Sequence, residues 1–436
     1  MWRANLSAKT GKLVEAAPTS RGFRAENPII VRFMASIFPF AALRPVPQAA
    51  AAVAAVPYDV VTTDEARALA SGSPLTFLHV SRAEIDLPPD TDPHSDPVYE
   101  RAAENFADLR ARAPLVEEEA PMLYIYRLQM GPHTQTGIAA CFSIDEYDQG
   151  IIKKHEKTRP DKEDDRTRHM LAIGAQTGPV FLTYVASRPI DEAVERATRE
   201  TPLFDFTAAD GVRHMVWTVG DTDAEAIVDE FGRIPALYIA DGHHRAASAA
   251  RTRRALEGRG PGEHDRVMAV AFPDHQMQIL PYNRVVKDLN GLTHEQFLDA
   301  LRKRMVVTEN APETPSRKGV ATMYFAGRWY GLGFGSGRET DDTVSLDVSR
   351  LQDSVLEPIL GIRDVRTDKR IDFIGGIRGP AELKRLVDAG QAAVAFALYP
   401  VTIGDLMKIA DAGGIMPPKS TWFEPKLRDG LLSHLI

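Results

Sequence analysis

The stretch that most restricts the architecture of this chain is "PALYIADGHHRAASAARTRRALEG", Pro235 to Gly258. "PALYIA" is a short apolar run of the kind that forms a buried strand. "HHRAASAARTRRALEG" is dense in helix formers. Only Asp241 and Gly242 separate the two, so they form a strand-to-helix turn. The first N–H groups of a helix lack intrahelical partners, and the helix dipole favours an anion beside them. Glycine lets that backbone approach a ligand closely. Asp241 reads as the N-cap, a role worth about 1 kcal/mol. His243, His244 and Arg245 fall in the first turn, where cations oppose the dipole. An anionic ligand removes the conflict, so the turn is expected to seat a phosphate. Neighbouring helical residues project about 100° apart, which makes the two histidines a poor chelate. A metal site that adds His155 and Asp241 stays open as the alternative.

The chain has 436 residues, more than one ordinary core accommodates, and two or three domains are expected. The expected division is 1–33 as a poorly ordered extension, 34–290 as the catalytic region and 291–436 as a second α+β unit. The extension is polar and basic ("RANLSAKTGKLVEAAPTSRGFR") and has no apolar stretch of secretory type. Met34 would be a natural start. A net charge of -8 argues against a nucleic-acid binder. No apolar window of about 18 residues exists, so no membrane span is expected. The single cysteine, Cys141, lies in the apolar "GIAACFSI", which suits a small buried side chain and a reducing, cytoplasmic setting. A homodimer is allowed for.

Elsewhere the patterning is mixed. "SDPVYERAAENFADLRARA" places Val98, Ala102, Phe106 and Leu109 at helical spacing, and "MLYIYRLQM" and "TGIAACFSI" read as two strands around a "GPH" turn. "PVFLTYVAS", "RVMAVAF", "MQILPYNRVV" and "QAAVAFALYP" read as strands. "DAEAIVDEF", "THEQFLDALRKRM" and "GPAELKRLVDAG" read as helices. Thr402 and Asp405 stand in capping-box spacing ahead of another helix. The tail "IMPPKSTWFEPKLRDGLL" reads as a loop. Strands and helices alternate irregularly, so the expected fold class is α+β, a mixed α/β fold.

Familiar nucleotide signatures are missing. No G-x-x-x-x-G-K-[ST] occurs. "GLGFGSG", Gly331 to Gly337, has its glycines at the wrong spacing for a dinucleotide loop and reads as part of a hairpin. "HEKTR" lacks the second histidine of a zinc-protease helix. The remaining constellation is "HEKTRPDKEDDRTRHM", from His155 to Met170. From Lys153 to His169 the chain holds seven Lys and Arg and five acids. Such density suits a solvated face. It also suits a nucleotide site, with cations for phosphate and carboxylates for Mg²⁺. Pro160 is expected to break any helix there and to leave the early charges in a loop.

"IADGHHRAA" resembles the strand-turn-helix signature of the ParB/sulfiredoxin superfamily, which implies a ParB/sulfiredoxin-like core. Gly242, His244 and Arg245 match the phosphate-cradling turn of sulfiredoxin. His243 stands where the reactive cysteine would be, so the sulfiredoxin reaction is not implied. Asp241 to Arg245 look similar to the turn in a branch of free-serine kinases, which use an acidic general base. The ordered set "FPFAALRP", "VPYDVV", "HEKTRPDKEDDRTRHM", "YIADGHHR", "LPYNRVV" and "MPPKSTWFEPKLRDGLL" is similar to domain-of-unknown-function family 1015, from Met34 to the C-terminus.

Together these features imply a phosphotransferase that moves a phosphoryl group from ATP or ADP, with Mg²⁺, to a small hydroxy amino acid such as free L-serine. Glu156, Asp241 and His244 are the expected catalytic residues, with Glu156 or Asp241 as base. His155, Lys157, Arg166, Gly242, His243 and Arg245 are expected on the nucleotide. Asp164 and Asp165 are expected on Mg²⁺. Arg284, Lys419, Ser420 and Thr421 are expected on the substrate. A metal-dependent phosphatase acting through His155, Glu156, Asp241 and His243, and a non-catalytic nucleotide-binding regulator, are the rival readings.

Overall fold

The apolar runs of the sequence become the central strands of a nine-stranded sheet. The computed structural model describes residues 34–112, 115–335 and 346–436, and Met34–Ile436 form one compact unit. The expectation of a disordered extension over residues 1–33 and the last residues of "GLGFGSG" lie outside the described residues.

The large sheet runs in the order Ile152–Lys153, Leu237–Asp241, Val180–Tyr184, Arg266–Pro273, His133–Ser143, Tyr124–Met130, Arg213–Thr218, Phe204–Thr207. Ile37–Phe38 adds to His133–Ser143. Two pairings are parallel, Leu237–Asp241 with Ile152–Lys153 and Arg266–Pro273 with Val180–Tyr184. The others are antiparallel, so the sheet is mixed, and the fold is α+β.

Successive side chains of a strand point to opposite faces. Ile138, Ala140 and Phe142 therefore join Leu182, Ile239 and Ala269 in one core, while Ala139, Cys141, Phe181, Tyr238 and Met268 join another. Both faces are covered, which is why these strands read as continuous apolar runs. Cys141 is fully buried, and burial raises its thiol pKa well above the ordinary value. The helix His243–Leu256 buries Ala246, Ala247, Ala249 and Ala250 against the first of these cores. Small side chains let this helix pack close to the sheet.

A six-stranded antiparallel sheet follows the order Val306–Glu309, Arg328–Gly333, Val320–Phe325, Val394–Ala397, Tyr282–Val286, Ile371–Gly375. Its member Tyr282–Val286 precedes residue 291 in the chain. The expected helix over "SDPVYERAAENFADLRARA" spans Asp96–Arg112 and buries Val98, Ala102, Phe106 and Leu109. The capping box of Thr402 and Asp405 starts Ile403–Asp411. No helix among the described residues is long and apolar enough to cross a membrane.

Two local expectations are corrected. Pro160 leaves the early charges, 154–159, in a loop as expected, but it does not break the helix that follows. It is the first residue of Pro160–Ile173, where its missing N–H is not needed. The loop is therefore short, and Asp164, Asp165 and Arg166 lie on the helix. The proline-rich tail is also more than a loop. Trp422–Phe423 pairs with Ile279–Leu280, and Ser433–Leu435 pairs with Ala42–Pro45 and Ala175–Gln176. Phe423, Leu427, Leu431 and Leu432 are buried between those pairings. Its partners are remote in sequence, so no local period announces it.

Candidate functional site

Parallel strands end at the same edge of a sheet. The pairing of Ile152–Lys153 with Leu237–Asp241 therefore delivers His155 and Glu156 to the same edge as Asp241, Gly242 and His243. A third segment closes over them. The Met416 N–H donates to the His155 carbonyl at 2.8 Å, which brings the tail across this edge.

Gly242 has φ 89°, in the left-handed region. A Cβ there would lie 2.9 Å from Cζ and Nε of Arg245. Both the conformation and the space demand glycine. Gly242, not Asp241, is the helix N-cap, and no side chain caps the first turn. The expected capping role of Asp241 is corrected: Asp241 ends the strand and its Oδ1 accepts from the Gly242 N–H at 2.9 Å. The N–H groups at the helix start are thus left free of any side-chain cap, as an anion seat requires.

The charge of Asp241 is balanced from the tail. The Nζ of Lys426 donates to its Oδ2 at 2.9 Å, and Nη2 of Arg245 stands 3.6 Å away. Burial alone would raise the Asp241 pKa, but Lys426 and Arg245 outweigh it and hold the carboxyl well below the carboxylate range. Glu156 is half-buried, and here burial prevails. Its pKa is raised, with Lys419 pulling down and Asp241 and Asp59 pushing up. The two acids that sequence left equal are electrostatically distinct.

The histidines part company as helix geometry demands. His243 is buried, and its Nε2 faces the His155 N–H at 3.4 Å. The rings of His155 and His243 meet edge to face with centroids 4.4 Å apart. His244 turns the other way, and its Nε2 accepts the Arg159 N–H at 3.1 Å. Burial lowers the pKa of His155 to about 4 and those of His243 and His244 below the ordinary value, so the three rings are neutral at pH 7. The ligand atoms of His155, Glu156 and His243 lie within 4.8 Å of one another.

Arg245 is 5% exposed and sits behind the turn. Its Nη1 donates to the Pro179 carbonyl, and its Nε has no hydrogen-bond partner. Its guanidinium packs directly against Gly242. A small cavity beside it is lined by Tyr58, Arg166, Gly178 and Asp429. The guanidinium of Arg166 lies 4.2 Å over the Tyr58 ring, and burial raises Asp429 to about 7.

The remaining expected residues divide. Lys157 is exposed on the loop. Lys419 has an exposed side chain that lies 5.5 Å from the Tyr282 ring centre and interacts with Glu156. Ser420 is buried and its Oγ donates to the Pro417 carbonyl at 2.6 Å, and Thr421 is half-buried beside it. Four residues are held by partners within the protein. Asp164 is paired with Arg251. Asp165 is buried and takes Nε of Arg166 at 2.8 Å and the Tyr99 hydroxyl at 2.8 Å. Both oxygens of Asp165 are engaged, which leaves it none for Mg²⁺, and Arg166 is paired with Asp165. Arg284 is 1% exposed and donates to the carbonyls of Tyr282, Pro418 and Lys419. It supports the loop that carries Lys419.

Sequence reading missed Lys426, Asp59 and Asp429. All three lie within the quoted stretches "VPYDVV" and "PPKSTWFEPKLRDGLL", but nothing local assigns them partners.

The family described as "Protein of unknown function (DUF1015)" matches residues 37–349. No curated protein matches the chain. Among solved structures it is similar to a free serine kinase in complex with AMP, at 14% identity and TM-score 0.35, covering 67% of this chain and 91% of that one. It is similar to SbnI with a C-terminal truncation from Staphylococcus aureus, at 14% identity and TM-score 0.37, covering 68% and 87%. A conserved hypothetical protein from Pyrococcus furiosus is similar at 14% identity and TM-score 0.35, covering 68% and 95%.

Proposed function

The chain belongs to the DUF1015 family, and from that premise and the geometry of its site we propose that it is a phosphotransferase acting on a small hydroxy amino acid, free L-serine foremost. The observation that carries the reading is one juxtaposition. An uncapped helix start at Gly242 stands at the same sheet edge as Glu156, an acid with raised proton affinity.

Phosphoryl transfer depends on positioning, charge neutralisation and a base for the attacking hydroxyl. On this reading the N–H groups of the first helical turn, His244 and Lys157 hold the phosphates of ATP or ADP, and Arg245 adds positive charge from behind the turn. Glu156 takes the hydroxyl proton. The oxygen forms its bond to the terminal phosphorus as the bond to the bridging oxygen breaks, and the shortened nucleotide leaves with that electron pair. A base works best when its pKa approaches the working pH, which favours Glu156 over Asp241. Asp241, neutralised by Lys426, fixes the turn. Lys419 faces the amino acid's carboxylate. Asp165, with both oxygens taken inside the protein, does not fit a Mg²⁺ seat, and no step is assigned to that ion.

The test is to incubate the full chain with ATP or ADP in magnesium buffer and a panel of hydroxy compounds, and to detect phosphorylated product by mass spectrometry. No product with any pair sinks the proposal. The cluster of His155, Glu156 and His243 favours one second reading, a metal-dependent phosphatase. Phosphate release from phosphoserine without nucleotide supports that one instead. Tight nucleotide binding without turnover supports a regulator.

A further inference from the structure

The site holds more buried imidazole than a phosphate seat needs. His155 is 2% exposed, and its ring nitrogens have no well-formed hydrogen bond, the Ile239 backbone being the one group that approaches as a partner. Leaving a buried polar atom unsatisfied costs about 1–3 kcal/mol, so such a ring calls for a ligand. His243 stands against it at 6% exposure, and Glu156 follows His155 in the chain. Among the described residues these three form the one cluster of His, Cys, Asp or Glu whose ligand atoms lie within 4.8 Å of one another.

A tetrahedral Zn²⁺ with bonds of about 2.0–2.1 Å holds neighbouring ligands about 3.3 Å apart. The three atoms would have to close by about 1.5 Å at most. His243 sits on the helix start, and His155 follows the strand pair by two residues with its carbonyl held by the Met416 N–H, so side-chain rotation is the nearest available motion. Two neutral imidazoles and one carboxylate are the donors of a borderline cation, whereas Mg²⁺ favours an all-oxygen shell.

We propose that His155, Glu156 and His243 bind one borderline divalent cation of the Zn²⁺ or Co²⁺ class, with a further coordination position open to water or ligand. Binding goes beyond the phosphotransferase reading and does not depend on it. One consequence does rest on it: an ion bound through Glu156 takes the lone pair that the base needs, so Zn²⁺ inhibits transfer.

The experiment uses the tag-free full chain, stripped by chelator and titrated with Co²⁺ alone. Calorimetry and the visible d–d absorption of Co²⁺ report binding. One ion per chain with those bands is expected, undisturbed by millimolar Mg²⁺. Losing even an outer-shell partner costs 10–100-fold in metal affinity. His155→Ala and Glu156→Gln are therefore each expected to weaken Co²⁺ by more than about 100-fold. His275→Ala, an exposed histidine beside Asp274, leaves binding unchanged. Glu156→Gln is close to isosteric, so it reports even if His155→Ala fails to fold. Absence of binding up to millimolar Co²⁺, or undiminished affinity in Glu156→Gln, overturns the site. A chain that binds Co²⁺ yet transfers no phosphoryl group sinks the kinase reading and leaves the site standing. A chain that transfers without binding Co²⁺ does the reverse.

Discussion

Nζ of Lys426 donates to Oδ2 of Asp241 at 2.9 Å, joining residues 185 apart in the chain. This contact separates the roles of the two acids at the site. Asp241 spends its charge on the tail, and Glu156, whose burial outweighs the pull of Lys419, gains proton affinity.

Replacing Lys426 with Met should leave Asp241 partly buried with only Arg245 opposite. The Asp241 and Lys426 side chains are 26% and 13% exposed in the native pair, so we expect a loss of about 1–3 kcal/mol in urea unfolding at pH 7. The Asp241 pKa is lowered on folding, so the pair stabilises above the unfolded value of about 3.9 and fades as pH falls below it. The gap between variant and wild type should therefore close in strong acid. A gap that persists there means the loss is one of packing.

Glu156→Gln should lower kcat by about 10²–10⁴-fold while nucleotide affinity holds. Because burial raises this pKa, wild-type kcat should climb with pH through a limb above the ordinary glutamate range. The Gln variant should lack that limb. Full activity in Glu156→Gln removes the residue from the base role.

Arg284 and Lys419 make opposite predictions although both are cations near one loop. Arg284→Met strands the carbonyls of Tyr282, Pro418 and Lys419, and should cost about 2–4 kcal/mol of stability. Lys419→Ala removes an exposed side chain and should leave the thermal midpoint unchanged. It should raise the KM for the amino acid by about 10–100-fold, the worth of a charge-assisted hydrogen bond. A selective KM effect in Arg284→Met would contradict the supporting role.

Burial holds His169 at about 4 and His214 at about 3, with nearby Arg166 and Arg428 acting in the same direction. Both lie below the unfolded value of about 6.5, so the unfolded chain binds more protons in that window. Stability should fall as pH drops from about 6.5 towards 4. Urea midpoints measured from pH 8 to pH 5 check this. A flat profile contradicts the burial of neutral rings.

Much of the local structure was legible from the residues. The helix Asp96–Arg112 follows from the spacing of Val98, Ala102, Phe106 and Leu109, because an amphipathic stripe needs only its own period. Thr402 and Asp405 announce their capping box for the same reason. Pro160 misled because the same ring that breaks a helix interior is welcome at its first residue, and composition does not say which position it holds. Asp165 misled because a carboxylate in a charged run looks free until Arg166 and Tyr99 are found against it.

The residues alone carry the strand, the Asp-Gly turn and the helix from Leu237 to Leu256, since helix and strand propensity act within a few residues. What surrounds that turn comes from segments far away in the chain. The parallel pairing of Ile152–Lys153 with Leu237–Asp241 sets His155 and Glu156 beside His243, and the returning tail sets Lys426 on Asp241. Burial and partners fix proton affinity, and both are properties of contacts between remote segments.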